Sequence, residues 1–396
     1  MPTDAKTDFI AAPGGTCDLI LVASAFSLML LGLGIIFTAS NIMAQANYGD
    51  PFYFIKRQGM YAVLGLGALL LGRKINYHNY QRWVYPFLFI SLFCLILVFL
   101  PGIGGKVRGA ARWIRLGPLT LQPSEFAKIA VVMFLAYSFT HKQEKMKHFA
   151  IGFLPHMMVA GLFIGIIGIE TDFGTALTLA AIVFTMLFVA GTNLAHIGVS
   201  LGAVICLAVA AVLKDPKKFD RILSFRDPWK YGDSVGYQLK QSLLAIGSGN
   251  LLGLGLGQSR AKLFYLPDSH TDFILSIFGE EMGFVGFLLV LGLFSILVAR
   301  GLRLSLKAPD IFGSYLALGL TLVIGLPAAI NMGVVSGILP TKGLSLPFLS
   351  YGGSSMIASM LAVGILLNIS SQIKRPAGAS ATQAAAPATS GVPSST

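Results

Sequence analysis

The stretch Leu19–Ile36, LILVASAFSLMLLGLGII, contains no charged side chain and decides the class of fold. A helix needs roughly 20 predominantly apolar residues to cross the hydrocarbon core of a bilayer. Across the chain of 396 residues, 55% are hydrophobic and only 12% are charged. An ordinary soluble domain carries roughly 25% charged residues. The sequence therefore predicts a membrane protein and argues strongly against a soluble fold.

Apolar windows recur along the chain and predict an all-α polytopic membrane protein with about ten transmembrane helices. The windows lie near residues 18–43, 57–72, 83–100, 122–140, 151–169, 173–191, 194–213, 273–299, 311–337 and 348–370. We expect these helices to form one transmembrane domain over residues 18–375. The longest connection, residues 214–271, would be a large extracytoplasmic loop between helices 7 and 8.

Short basic clusters fall on alternate connections and predict the orientation. They are Arg73/Lys74, Lys142/Lys145/Lys147, Arg300/Arg303/Lys307 and Lys374/Arg375. Positively charged short loops stay in the cytoplasm, so both termini are expected there. Residues 1–17 would form a cytoplasmic N-terminal tail. Residues 376–396 are mostly Ala, Ser, Thr and Pro. Such a composition buries too little apolar surface to fold, so we expect a disordered cytoplasmic tail.

The predicted outer loop at residues 102–121 breaks this charge rule. Its cations are Lys106, Arg108, Arg112 and Arg115. Arginine holds phosphate through a bidentate fork, so we interpret the loop as a contact for an anionic ligand at the outer surface. Trp113 beside Arg112 provides an amphipathic ring of the kind found at membrane interfaces. Anchoring to lipid headgroups is the alternative interpretation.

Other classes of function have little support. The formal net charge is +12, but no basic helix or aromatic RNA-binding pattern accompanies it, so we expect no nucleic-acid partner. Cys17, Cys94 and Cys206 lie far apart, without metal-ligand spacing, and are interpreted as packing residues. The glycines between residues 247 and 257 match neither a phosphate-binding loop nor a dinucleotide fingerprint. We therefore expect no nucleotide cofactor.

The segment Leu121-Gln-Pro-Ser-Glu-Phe-Ala-Lys128 predicts a helix that begins with charged residues. Pro123 suits the first turn, and Glu125 lies near the positive end of the helix dipole. The charge of Lys128 lies inside the membrane and must pair or face a cavity. Glu125, three residues earlier, is the candidate partner. The pair could be purely structural or belong to a functional site.

Two further carboxylate clusters are candidates for the outer surface. In Glu170-Thr-Asp172-Phe-Gly-Thr, Thr171 or Asp172 could cap the next helix, or the acids could hold a cation or an arginine. Asp272 stands where the long loop enters an apolar helix. Desolvation there would raise the pKa of its carboxyl group and suit it to accept a proton from a hydroxyl, although a helix N-cap is the alternative. At least one of Glu280 and Glu281 should face the protein interior.

These blocks resemble, in this order, the SEDS family (shape, elongation, division and sporulation) over residues 18–375. The matching motifs are Arg112-Trp113, Gln122-Pro-Ser-Glu-Phe-Ala-Lys128, Glu170-Thr-Asp-Phe-Gly-Thr175, Tyr237-Gln, Leu266-Pro, His270-Thr-Asp-Phe-Ile274, Leu339-Pro-Thr-Lys-Gly343 and Ser350-Tyr-Gly-Gly-Ser-Ser355. Stretches such as Ser224-Phe-Arg-Asp-Pro-Trp and Gly255-Leu-Gly-Gln-Ser look more like the division branch than the elongation branch. An elongation-type or sporulation-type member is the alternative.

The resemblance implies a glycosyltransferase that polymerises lipid II, the undecaprenyl-pyrophosphoryl disaccharide pentapeptide. The reaction would take place on the outer leaflet of the cell inner membrane, at the division septum. The resemblance also implies a class B penicillin-binding transpeptidase and other divisome membrane proteins as partners.

The resemblance also implies roles for single residues. Asp272 matches the essential external carboxylate of the family and would activate the 4-hydroxyl of an acceptor lipid II, directly or through a divalent cation such as Mg²⁺ or Mn²⁺. Arg108, Arg112 and Lys128 would stabilise the departing undecaprenyl pyrophosphate. The other candidates for substrate binding are Trp113, Glu125, Glu170, Asp172, His270, Lys342 and Ser354.

Two other functions are compatible with the same features. A transporter that flips lipid II would also have broken helices and intramembrane charges. Such a flippase should carry polar groups through the full depth of the bilayer, whereas the ionisable residues here crowd the predicted outer half. A non-catalytic scaffold for a partner enzyme is the third possibility.

Overall fold

The computed structural model describes residues 17–100, 104–107, 110–117, 119–214, 216–231, 236–266, 271–341 and 343–373. Most of them are helical. In chain order the α-helices of this part are α1 (Leu19–Tyr48), α2 (Tyr53–Lys74), α3 (Tyr80–Leu97), α4 (Pro123–Lys142), α5 (Leu154–Ile169), α6 (Phe173–Val189), α7 (Leu194–Leu213), α8 (Pro216–Arg226), α9 (Tyr237–Ser248), α10 (Ile274–Lys307), α11 (Ile311–Val335) and α12 (Gly353–Ser371).

Seven helices of the described chain are long and apolar enough to cross a membrane. They are α1, α2, α3 with the turn before it, α5 with the turn before it, α10, α11 and α12. The prediction of a helical, multi-pass membrane protein is therefore confirmed. Helices α4, α6 and α7 occupy the remaining predicted windows near 122–140, 173–191 and 194–213. The count of ten transmembrane helices stays a prediction.

Helix α12 lies at the centre of the bundle, with 89% of its apolar window buried. It packs closely against α2 because small residues meet at the crossing. A side chain at Gly364 would come within 2.3 Å of the Leu69 carbonyl oxygen, and one at Gly72 within 3.0 Å of the Leu361 carbonyl oxygen. Small residues allow this close approach between membrane helices.

The connection between α3 and α4 contains a three-stranded antiparallel sheet, which the apolar pattern of the sequence does not predict. Its strands are β1 (Gly104–Val107), β2 (Ala110–Leu116) and β3 (Leu119–Leu121), in the order β1-β2-β3. Trp113 pairs with Gly105, and the buried Ile114 pairs with Leu121. The Tyr61 hydroxyl on α2 accepts a hydrogen bond from the Thr120 backbone at 2.7 Å and fixes the sheet to the bundle.

Helix α10 is interrupted at Gly283, whose backbone angles are φ 68° and ψ −165°. The backbone groups freed by the break pair with the glycine-rich segment before it. The bonds are Phe284 N to Asn250 O (2.9 Å), Val285 N to Leu251 O (3.2 Å), Leu254 N to Glu280 O (3.0 Å) and Gly255 N to Glu281 O (3.0 Å). This exchange satisfies polar groups that a membrane environment cannot. The predicted apolar window 273–299 therefore coincides with α10, but the sequence did not predict the interruption of this helix at Gly283.

Candidate active site

A cavity of about 1340 Å³ opens between the sheet, α2 and the first turns of several helices. Its wall contains seven of the predicted site residues: Arg112, Trp113, Glu125, Lys128, Asp172, Asp272 and Ser354. These residues come from separate blocks of the sequence. The fold brings them to one place, which residue spacing alone could not predict.

Besides α2, whose first residue Tyr53 lines the cavity, four helices begin there. Its wall includes Gln122 before α4, Asp172 before α6, Asp272 before α10 and Gly352 before α12. The N-terminus of a helix carries unpaired N–H groups and the positive end of the helix dipole. Such ends favour anions such as phosphate. The backbone alone therefore makes this cavity a favourable place for an anionic ligand.

Arg112 on β2 reaches across to the start of α6. Its Nη2 donates a hydrogen bond to the Thr171 carbonyl oxygen at 2.7 Å, and its Nη1 lies 3.8 Å from the Asp172 Oδ1. The same Asp172 oxygen accepts the Thr175 backbone N–H at 3.3 Å and caps α6. The two alternatives for Asp172, a helix cap and a partner for arginine, therefore occur together.

Glu170 lies behind the cavity wall. Its side chain is buried, and within the described part of the chain neither carboxyl oxygen has a hydrogen-bond partner. Burial, followed by the negative charge of Asp172, raises the pKa of Glu170 to about 8, although Arg112 opposes this. Most Glu170 side chains are therefore protonated and neutral at pH 7. Its backbone carbonyl accepts the Arg112 Nε at 3.4 Å, so Glu170 contributes to the site through its backbone.

Lys128 and Glu125 form a buried ion pair on the first turns of α4. The Lys128 Nζ lies 2.9 Å from the Glu125 Oε1, and both residues also line the cavity. The pairing predicted from their spacing is present. The carboxylate compensates the buried ammonium charge while Lys128 remains next to the ligand space.

Two residues of the cavity wall were missed as site candidates. Gln122 donates its Nε2 hydrogen to the Asp172 Oδ2 at 3.1 Å, and its backbone N–H donates to the Ser354 Oγ at 2.7 Å. It thereby links α4, α6 and α12 at the cavity. Arg57 on α2 also lines the cavity, with its guanidinium 4.7 Å from the centre of the Tyr53 ring. Its position at the start of an otherwise apolar window was the available signal.

Asp272 lies in the turn immediately before α10 and is partly buried in the cavity wall. Helix α10 begins at Ile274 with Phe273 at the N-cap position, so Asp272 is not the N-cap residue. Its carboxylate rests against Gly343. A Cβ atom at position 343 would lie 2.7 Å from the Asp272 Oδ2. Glycine at this position therefore makes room for the carboxylate.

Among the described residues, Glu280 and Glu281 do not line the cavity. Arg108, His270 and Lys342 lie outside the described residues. Glu280 and Glu281 face the protein interior, as expected of at least one of them. Glu280 accepts hydrogen bonds from the Ser259 Oγ (2.5 Å) and two backbone N–H groups, while Glu281 lies 3.4 Å from the Lys262 Nζ. Both carboxylates hold residues 259–262, which follow the glycine-rich segment, against α10.

Residues 18–375 match the family model of the cell cycle proteins FtsW, RodA and SpoVE. The chain belongs to the FtsW/RodA/SpoVE family. This confirms the resemblance to the SEDS proteins seen in the motifs. Within this family the chain is 47% identical over 357 residues to a probable peptidoglycan glycosyltransferase FtsW from Trichlorobacter lovleyi, covering 90% of this chain and 94% of that one.

Two further similarities are to a sporulation protein and to a solved peptidoglycan synthase complex. The stage V sporulation protein E of Bacillus subtilis is 42% identical over 354 residues, covering 89% of this chain and 96% of that one. A chain from a peptidoglycan synthase complex that coordinates polymerization and crosslinking superimposes with a TM-score of 0.73 at 28% identity, covering 90% of this chain and 98% of that one.

The predicted divalent cation finds no ready-made ligand set among the described residues of this FtsW/RodA/SpoVE protein. Within the described ranges, no group of three or more His, Cys, Asp or Glu side chains is placed to hold a metal ion. Of the carboxylates in the cavity wall, Glu125 is engaged with Lys128, and Asp172 with Gln122 and the α6 backbone. The described residues therefore do not fit a resident metal site.

Proposed function

We propose that this protein is a peptidoglycan glycosyltransferase of the FtsW type that polymerises lipid II into glycan strands during septal cell-wall synthesis. One observation carries the proposal. The cavity at the N-terminal ends of α4, α6, α10 and α12 is also lined by a carboxylate, Asp272, and by the cations Arg112 and Lys128. The names of the similar FtsW proteins support the same reaction class.

In the proposed reaction, the Asp272 carboxylate accepts the proton of the 4-hydroxyl of the acceptor sugar. The freed oxygen attacks the anomeric carbon of the donor chain. The bond between that carbon and the pyrophosphate oxygen breaks, and undecaprenyl pyrophosphate leaves with the electron pair. Asp272 then releases the proton to water. Asp272 suits this task because its carboxylate lines the cavity, within reach of a bound hydroxyl.

The rest of the cavity would stabilise the leaving pyrophosphate. The cations of the wall are Arg57, Arg112, Arg115 and Lys128. The N-terminal ends of α4, α6, α10 and α12 add their partial positive charges. Fixed positive groups of this kind act on charge as it develops on the leaving group, which is usually the largest contribution to catalysis. The predicted contacts of Arg108, His270 and Lys342 remain part of the proposal.

The proposal includes the cellular setting. We expect the protein in the inner membrane at the division septum, with the cavity on the outer side and both termini in the cytoplasm. A class B penicillin-binding transpeptidase is the expected partner, alongside other divisome membrane proteins. The similar chain that belongs to a complex for polymerization and crosslinking supports a transpeptidase partner.

A polymerisation assay tests the function. Purified protein, together with its transpeptidase partner, is supplied with lipid II, and glycan chains are measured for the native sequence and for Asp272→Ala. Loss of a general base lowers the rate on the order of 100-fold or more. Asp50→Ala is the matched control, since Asp50 is a solvent-accessible carboxylate outside the cavity wall that pairs with Lys56.

The alternatives give different results in the same experiment. Undiminished glycan synthesis by folded Asp272→Ala would overturn the catalytic role of Asp272. A native complex that makes no glycan but moves lipid II across liposome membranes would instead be a flippase. The cavity favours polymerisation, because its charged residues lie at the end of the bundle where these four helices begin.

A further inference from the structure

Asn331 on α11 contacts the backbone of Asp272 from outside the cavity wall. Its Nδ2 donates one hydrogen bond to the Asp272 carbonyl oxygen at 2.8 Å and another to the Leu344 carbonyl oxygen at 2.6 Å. The side chain is buried, with 1% of the residue exposed. Asn331 therefore ties together the two chain segments that meet at the Asp272 carboxylate.

Both segments determine where this carboxylate lies. Leu344 follows Gly343, against which the Asp272 Oδ2 rests. On the other side of Asp272, the Ser350 Oγ donates to the Thr271 carbonyl oxygen at 2.5 Å and accepts the Leu346 backbone N–H at 2.8 Å. The peptide groups before and after the Asp272 Cα are thus each held by a side chain. Fixing both peptide groups fixes the direction of the Cα–Cβ bond.

The chemistry of position 331 indicates more than packing. The Asn331 Oδ1 is buried and has no hydrogen-bond partner among the described residues. An unpaired buried oxygen is unfavourable, and a leucine of similar size would fill the same space without it. The amide orientation is nevertheless well defined, because a flipped amide would place its oxygen against two carbonyl oxygens. The two donated bonds are the feature that asparagine alone supplies here.

We propose that Asn331 is a positioning residue for Asp272, holding its backbone so that the carboxylate faces the acceptor hydroxyl in the cavity. The inference rests on the proposed polymerase function. Asn331 touches no substrate in this arrangement and acts only through the geometry of Asp272. A misplacement of about 1 Å at a reacting group can lower a rate on the order of 100-fold.

The test compares Asn331→Leu with the native protein in the lipid II polymerisation assay. We expect kcat to fall on the order of 10- to 100-fold. The KM for lipid II should stay within about twofold, because the ligand contacts of the cavity wall are unchanged. A purely structural role would instead lower the melting temperature and leave the kcat of the folded fraction at the native value, because unfolded protein reduces only the amount of active enzyme.

Asn368 on α12 provides a matched control. It is also fully buried and donates its Nδ2 hydrogen to the Arg73 carbonyl oxygen at 2.6 Å. It lies roughly 20 Å along the helix from the cavity end of α12. Asn368→Leu removes this buried bond and also the two that the Asn368 Oδ1 accepts, from the Tyr77 backbone N–H (2.9 Å) and from the Gln372 Nε2 (3.0 Å). It should therefore lower the melting temperature, while the kcat of the folded fraction stays at the native value.

The outcomes separate this inference from the proposed function. If folded Asn331→Leu keeps the native kcat while Asp272→Ala is inactive, Asn331 has no positioning role and the polymerase function stands. An equal fall of kcat in Asn368→Leu also overturns the inference, since general loosening then explains the loss. If Asn331→Leu does not fold, Ser350→Ala decides by the same readout: a lower kcat with native KM supports positioning of this backbone, and native kcat contradicts it.

Discussion

Ionisation of Glu170 opposes the folded state, because burial favours its uncharged form. Its pKa in the folded protein is about 8, against an ordinary value of 4.5. Between these pH values the unfolded chain has released the proton of Glu170 and the folded chain retains it. The folded state binds more protons in this window, so the stability of the protein falls as the pH rises through it. Above about pH 8 the loss is complete.

Replacement of Glu170 by glutamine should remove this part of the pH dependence. We expect the melting temperature of the native protein to fall between about pH 5 and pH 8 more steeply than that of Glu170→Gln, since glutamine has no proton to release. Thermal unfolding in detergent over this range measures the difference. Glu144→Gln is the control, because Glu144 is exposed between α4 and α5. Identical slopes for the native protein and Glu170→Gln would contradict the raised pKa.

Individual residues of the site differ in how far the sequence could predict them. The Lys128–Glu125 pair follows from helical spacing, because a buried lysine needs a partner three or four residues away. The cap by Asp172 is also a local feature. Gln122 and Arg57 could not be assigned to the site in this way. Gln122 contacts segments far apart in sequence, and Arg57 shares a cavity wall with such segments, so both assignments depend on how the helices pack.

At the scale of elements, the break in α10 is the feature that hydropathy could not reveal. Glycine is common in membrane helices, so Gly283 looks ordinary within an apolar window. Only the pairing of residues 250–255 with 280–285 explains it. The sheet β1–β3 was equally hidden, since the glycines and proline of that connection predict turns. Both elements form through contacts between segments rather than through a local apolar period.

The interruption of α10 predicts that two glycines of this helix, Gly283 and Gly292, respond differently to replacement by alanine. Gly283→Ala should destabilise the protein strongly, because φ is positive and a Cβ atom would lie 2.4 Å from the Gly253 backbone nitrogen. Backbone strain alone is worth on the order of 1–3 kcal/mol. Gly292→Ala is the control, since no atom lies within 4 Å of its Cβ position. That change should leave the melting temperature equal or higher, as alanine favours helix.

Thermal melting of both variants measures this difference. An equal melting temperature for Gly283→Ala and the native protein would mean that α10 can continue without the break. The glycine-rich segment would then not be fastened to α10, and the contacts of Lys262 with Glu281 would have to be rearranged in solution.

At the scale of the whole molecule, the cavity, the sheet and the starts of α4, α6, α10 and α12 lie at the same end of the bundle. In the predicted topology, the basic clusters of the short connections lie on the opposite side of the membrane from the cavity. The first of them is Arg73 and Lys74 at the end of α2. Charge distribution in short loops sets the orientation of a membrane protein. The molecule as a whole therefore predicts that the cavity opens to the outside of the cell.

Single cysteines test this orientation. In a background in which Cys17, Cys94 and Cys206 are replaced by alanine, Lys230→Cys reports on the long loop and Glu144→Cys on the connection after α4. Both positions are exposed. A membrane-impermeant maleimide should label Lys230→Cys in intact spheroplasts and Glu144→Cys only after permeabilisation. The reverse labelling pattern would show that the cavity opens to the cytoplasm. A polymerase in that orientation could not reach lipid II in the outer leaflet. Because the two cysteines are scored in one membrane preparation, leaky cells would label both and be recognised at once.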